Sequence, residues 1–214
     1  MMSSPIVSSG MIGKGLGVIE DPETLAETIR DCTLCRDRFR ATETRHAPRP
    51  VAWFARSPRI LIAGQAPGLR VHESGTPFLD RSGDRLREWM GIDKETFYDR
   101  SRVSIVPMAF CFPGYRKGSD LPPPPICAAT WRARVMTSIG PSQLTLLIGG
   151  AAMKWHLGKT GSVRDHVAAW RDSAPDAFPL PHPSWRNNAW LTKNPWFEED
   201  VLPALRKRVK EVLA

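Results

Sequence analysis

Short apolar runs alternate with amphipathic segments along most of the chain. The runs at 59–63, 103–110, 144–148 and 178–180 are rich in Ile, Leu, Val and Phe and predict strands. Between them lie helical patterns. Asp84 to Met90 sets Leu86, Trp89 and Met90 on one face, and further helices are expected over 128–139, 151–157 and 163–170. An earlier helix starts at Asp21-Pro22, carries Glu23 and Glu27 in its first turns and runs to about Arg30. The last helix follows Asn194-Pro195. Its acids (Glu198, Glu199, Asp200) come early and its bases (Arg206, Lys207, Arg208, Lys210) late, as the helix dipole favours. Pro203 is expected to kink it. Strands alternating with helices predict an α/β fold, a three-layer α/β/α sandwich around a mostly parallel central sheet. One domain is expected over 21–214, after a Ser/Gly-rich disordered leader over 1–20. The stretch 114–125, GYRKGSDLPPPP, reads as a long loop running on to Cys127.

Composition narrows the setting. Of 214 residues, 42% are hydrophobic and 24% charged, enough for an ordinary buried core. Lys plus Arg is 30 against 22 Asp plus Glu, a formal charge of +8. Such an excess attracts polyanions, nucleic acid first among them; a basic surface that only keeps the chain in solution is the plainer reading. No apolar run approaches the ~18–20 residues needed to span a bilayer. The N-terminus shows neither a basic n-region nor an apolar h-region, so a cytoplasmic protein is expected. In that compartment four cysteines are not expected to pair as structural disulfides.

Their spacing says more. Cys32 and Cys35 form a CxxC at the end of the first helix, while Cys111 and Cys127 bracket the Pro-rich loop. Two thiolates three apart can bind one metal centre, and the loop can bring the other ligands back to it. Four cysteines with none to spare suit a [4Fe–4S] cluster or a structural zinc; four unrelated buried cysteines are the alternative. The first strand ends in Gly64-Gln65-Ala66-Pro67-Gly68. A Gly/Pro turn after a strand is how an α/β sheet builds a site at its carboxyl edge, because glycine lets backbone amides approach a ligand.

GQAPG at 64–68, Pro77-Phe78, RSG at 81–83 and HPSWRN at 182–187 together resemble the uracil-DNA glycosylase superfamily. The cysteine pattern resembles its iron–sulfur branch, family 4, and the likeness covers roughly residues 25–212. It implies a DNA glycosylase that flips uracil or another deaminated base out of DNA and hydrolyses its N-glycosidic bond, initiating base excision repair. It also implies a [4Fe–4S] cluster on Cys32, Cys35, Cys111 and Cys127. That chemistry leaves an oxocarbenium-like sugar and an anionic base, so the site must stack the base, stabilise it as it leaves and guide a water. By resemblance, Phe78 is the stacking ring and His182 the donor to the base carbonyl. The amides of Gln65 and Ala66, in the turn with Gly64, Pro67 and Gly68, contact base and water. Ser184, Trp185, Arg186 and Asn187 form the second motif loop, with Trp185 and Arg186 as the wedge entering the duplex gap. HPSxRN also resembles the single-strand-selective branch. The alternative for His182 is a capping histidine, and for Phe78 a core residue.

The departures matter as much. Family 4 carries Glu where this chain has Gln65, and family 1 carries Asp where it has Ala66, so the turn holds no carboxylate. The family 4 asparagine that reads uracil falls on Pro107, and backbone groups of Met108 or Ala109 are the expected substitutes. Asp80, in PFLDRSGD, resembles the aspartate of family 5's FTGD segment with one residue fewer and is the candidate carboxylate. The alternative is that Asp80 or Asp84 caps the next helix. Arg85 and Arg87 read as phosphate contacts or solvated helix charges, and His72 and Glu73 as further residues facing DNA. The missing carboxylate keeps a second class open: a weak or inactive relative that binds damaged or single-stranded DNA. A third is a metal-stabilised nucleic-acid protein with an unrelated reaction.

Overall fold

All four apolar runs contribute strands to one parallel sheet in the computed structural model, which describes residues 19–214. In chain order the strands are β1 (Ile60–Ala63), β2 (Val103–Ile105), β3 (Tyr115–Arg116), β4 (Ser119–Asp120), β5 (Leu144–Ile148) and β6 (Ala177–Leu180). The helices are α1 (Pro22–Arg30), α2 (Arg36–Arg40), α3 (Leu69–Ser74), α4 (Arg81–Met90), α5 (Lys94–Tyr98), α6 (Pro125–Ile139), α7 (Gly150–Leu157), α8 (Val163–Ala168), α9 (Asn188–Lys193) and α10 (Leu202–Leu213). The sheet order is β2–β1–β5–β6, every pair parallel, with Ile62 beside Ile105 on one side and Leu146 on the other.

Alternation along β1 produces the layers. Ile60 and Ile62 bury into a core with Leu86 and Trp89 of α4 and Leu205 and Val209 of α10. Leu61 buries into a second core with Leu25 and Ile29 of α1 and Trp131 and Val135 of α6. Successive side chains point to opposite faces, so a strand apolar at every position needs helices on both sides. Each fully buried side chain of this size contributes about 1.5–3 kcal/mol. The three-layer α/β/α fold is therefore the one expected.

Several boundaries differ from expectation, each for a local reason. The second strand ends at Ile105 instead of Phe110, because Pro107 has no N–H to continue a ladder. The 114–125 loop contains the hairpin β3–β4, closed by Lys117 and Gly118 at φ of 52° and 72°, both in the left-handed region that such two-residue turns require. Asp80 starts α4 three residues early by accepting the Gly83 N–H at 3.0 Å. The last helix changes form just before Pro203. A wide π turn over Phe197–Val201 precedes α10, and Pro203 falls in the first turn of α10, where a missing N–H costs little. Of the expected leader, residues 1–18 lie outside the described residues, and Glu20 is tied down by Arg134 at 2.8 Å. Among the described residues no helix is long and apolar enough to cross a membrane.

Candidate active site

A cleft of about 810 Å³ opens at the carboxyl ends of the strands. Gly64 to Gly68 line it from the turn after β1, Ile148 from the end of β5 and His182 from just past β6. The strand order explains the opening. The chain leaves β1 to build β2 on one side and β5 on the other, so the loops diverge at the β1–β5 junction. Gln65 turns toward that junction: a Cβ built on Gly149 would lie 3.9 Å from its Oε1. Phe78 and Asp80 enter from the segment leading into α4, and Ser184, Trp185 and Arg186 from the second motif loop.

His182 is exposed to the open cleft, yet its ring is crowded by the walls. This partial desolvation pushes its pKa below the ordinary 6.5; the carboxylates of Asp80 and Asp120 oppose the shift and Arg186 adds to it. The net direction keeps the imidazole neutral at pH 7. Asp80 serves two purposes in space. Its Oδ1 caps α4, while the side chain also lines the cleft with Phe78 and His182.

Asn187, Met108 and Ala109 stay out of the cleft lining. Asn187 donates from Nδ2 to the His182 carbonyl at 2.7 Å, so it braces the loop instead of facing a ligand. Met108 is buried in the core, and its N–H donates to the Gly64 carbonyl at 2.9 Å while that of Ala109 donates to Gln65 O at 3.1 Å. These amides are spent holding the GQAPG turn and are not free to read a base. Pro107 does line the cleft, but its carbonyl and that of Val106 accept from the buried Arg132 at 3.1 and 2.9 Å. Burial lowers the Arg132 pKa to about 10 and, with help from the Arg132 charge, that of its contact His156 to about 3.

The basic candidates are also redirected. Arg85 donates to Ser184 O at 3.1 Å and Asn188 Oδ1 at 2.9 Å, pinning the second motif loop to α4. Arg87 is buried and paired with Asp84 at 2.6 Å. Both guanidinium groups are thus engaged within the protein. His72 packs edge-on against His46 with its Nδ1 buried, away from the cleft lining, and Glu73 is exposed with its carbonyl taken by Arg49 at 2.7 Å.

Residues 51–206 match the model of the uracil DNA glycosylase superfamily. The chain belongs to this superfamily. Its members act on DNA, in keeping with the +8 charge and with the arginines Arg70, Arg81 and Arg186 along the cleft. The matched span holds every cleft residue named above together with Cys111 and Cys127; Cys32 and Cys35 precede it.

The four cysteines lie around one cavity. All are free and line one small cavity between α1, α2, the segment after β2 and the start of α6, walled by Ile29, Phe39, Phe110 and Trp131. Cys35 stands at the N-terminus of α2, and Cys127 lies in the first turn of α6, where its Sγ accepts the Phe110 N–H at 3.4 Å. Burial pushes the Cys111 thiol up to about 12 and the Cys127 thiol to about 11. Among the described residues no three His, Cys, Asp or Glu side chains close into a compact ligand group. Four soft sulfur donors around one apolar cavity nevertheless suit a thiolate-ligated metal centre in kind and number.

The sequence reading missed one part of the cleft. Tyr115, Asp120 and Leu121 line it from the β3–β4 hairpin. The hairpin is anchored where Gly114, at φ 93°, packs on Thr42 so closely that a Cβ would come within 2.8 Å, and where Lys117 N–H donates to Glu43 at 2.9 Å. The Lys-Gly turn was the available signal.

Proposed function

We propose that the protein is a monofunctional DNA glycosylase that hydrolyses the N-glycosidic bond of uracil or another deaminated base, initiating base excision repair in the cytoplasm. The observation that supports it is the convergence of Phe78, His182, Asp80 and the GQAPG turn on one cleft. A flipped base stacks on Phe78, and neutral His182 donates an N–H to its carbonyl. Water attacks C1′ as the C1′–N bond breaks, Asp80 takes the water proton, and the base leaves as an anion held by His182. A carboxylate beside C1′ also stabilises the cationic sugar, work that Gln65 and Ala66 cannot do.

Oligonucleotides carrying uracil, hypoxanthine, xanthine or 5-hydroxymethyluracil test this directly. Release of none of them, with binding retained, would identify a DNA-binding relative instead. Asp80→Asn separates the two uses of that residue. Asn caps a helix as well as Asp, so the melting temperature and DNA affinity should stay nearly constant. The single-turnover rate should fall ~10–10³-fold; an unchanged rate leaves Asp80 a helix cap only. Trp185 is 69% exposed, consistent with a wedge awaiting a duplex. Trp185→Ala and Arg186→Ala should therefore weaken excision from duplex more than from single strands, because only a duplex leaves a stack to replace. Equal losses would give the loop another role.

We further propose that Cys32, Cys35, Cys111 and Cys127 hold a [4Fe–4S] cluster, with structural zinc as the alternative. When bound, such a centre ties α1 and α2 to α6 through metal–thiolate bonds. No step of the hydrolysis passes through it.

A further inference from the structure

We propose that Tyr98 and Arg87, neither of which lines the cleft, are positioning residues that hold Phe78 in the conformation that presents its ring to a flipped base. This rests on the glycosylase reading above. Phe78 has φ +54°, in the left-handed region that a residue with a bulky side chain rarely adopts. Such a conformation persists only where its surroundings over-determine it.

The surroundings are specific. The Tyr98 hydroxyl lies 3.1 Å from both the Phe78 and Pro77 carbonyls and shares its hydrogen between them. Arg87 Nη1 approaches the same Phe78 oxygen at 3.5 Å. Arg87 is itself fixed, by Asp84 at 2.6 Å and by the Phe97 and Tyr98 rings below its guanidinium at 5.2 and 5.7 Å. Gly83 leaves the space into which the carbonyl turns, since a Cβ there would come 1.8 Å from Phe78 O. The carbonyl is thus drawn inward onto α4 and α5. The half-buried ring meets Phe97 edge-on at 6.1 Å and lines the cleft. Without the inward pull the backbone can relax to negative φ, and the ring leaves its station.

Tyr98→Phe removes the hydroxyl alone. Excision should fall ~10-fold, the effect of one net hydrogen bond. In a Phe78→Ala background the same substitution should cost nothing further, because a residue acting only through Phe78 has nothing left to position. Additive losses would overturn the proposal. A readout that needs no activity is the ¹⁹F spectrum of 4-fluorophenylalanine placed at position 78. One sharp resonance is expected in the parent protein, and a shifted or split one in both Tyr98→Phe and Gly83→Ala. An unchanged resonance in the two variants would also overturn it. If no base is ever released but the resonance responds, the glycosylase reading fails while the positioning of Phe78 stands.

Discussion

Replacing His182 with alanine is expected to lower the single-turnover excision rate at least ~10²-fold, the usual loss when one donor to a developing anion is removed. The expectation is strong here because the amides of Met108 and Ala109, after β2, are spent on Gly64 and Gln65 and leave that charge to other donors, His182 first among them. The pH profile tests the same point. Desolvation of the His182 ring outweighs the pull of Asp80 and Asp120, so the imidazole titrates below 6.5. A neutral donor is present above its pKa and lost as pH falls through it. Activity should therefore be level from pH 6.5 upward and decline only on the acid side. A rate that rises as pH drops below 6.5 would mean that the imidazolium is the working form, and a His182→Ala rate within a few-fold of the parent would remove His182 from the mechanism.

Cys127→Ser and Cys111→Ser are expected to abolish a broad absorption band near ~400 nm, to release iron and to lower the melting temperature sharply. The stability effect should be about 4 kcal/mol or more, in the class of lost metal centres, against a total margin of ~5–15 kcal/mol for a domain. The reason is placement. Cys127 packs against the core formed by α1, α6 and Leu61, and Cys32 extends that core from the end of α1. A broken centre would thus loosen the layer that covers one face of the sheet. Anaerobic purification followed by metal analysis decides the identity: about four irons per chain are expected for the cluster. Zinc without iron would replace that assignment, and a metal-free protein whose serine variants melt like the parent would end it.

What the sequence by itself determined was the layered fold and several of the segments that line the cleft. The strands were legible because short apolar runs bounded by turn residues admit few alternatives, and α1 and α4 because capping aspartates and apolar spacing agree. The GQAPG and HPSWRN segments were legible because their chemistry is carried by contiguous residues. The helices α2, α3, α5 and α9 were not, since five or six residues span fewer than two turns and rarely repeat an apolar stripe. The hairpin bearing Tyr115 and Asp120 was lost in a Pro/Gly-rich stretch whose turn is closed by Lys117 and Gly118.

Only the tertiary structure decided how polar groups are spent. Arg85 and Arg87 look like solvated or phosphate-binding charges in the sequence, yet one braces Ser184 and the other is buried against Asp84 and Phe97. Backbone groups of Met108 or Ala109 were nominated to read a base, but the amides of both hold the turn after β1. Asn187, nominated for the ligand, supports the carbonyl of His182. The physical reason is common to all of them. A backbone pattern can be read from neighbours along the chain, but a donor is committed by whichever acceptor the fold brings within about 3 Å, whether distant in sequence, as for Arg85 and Met108, or close, as for Arg87 and Asn187.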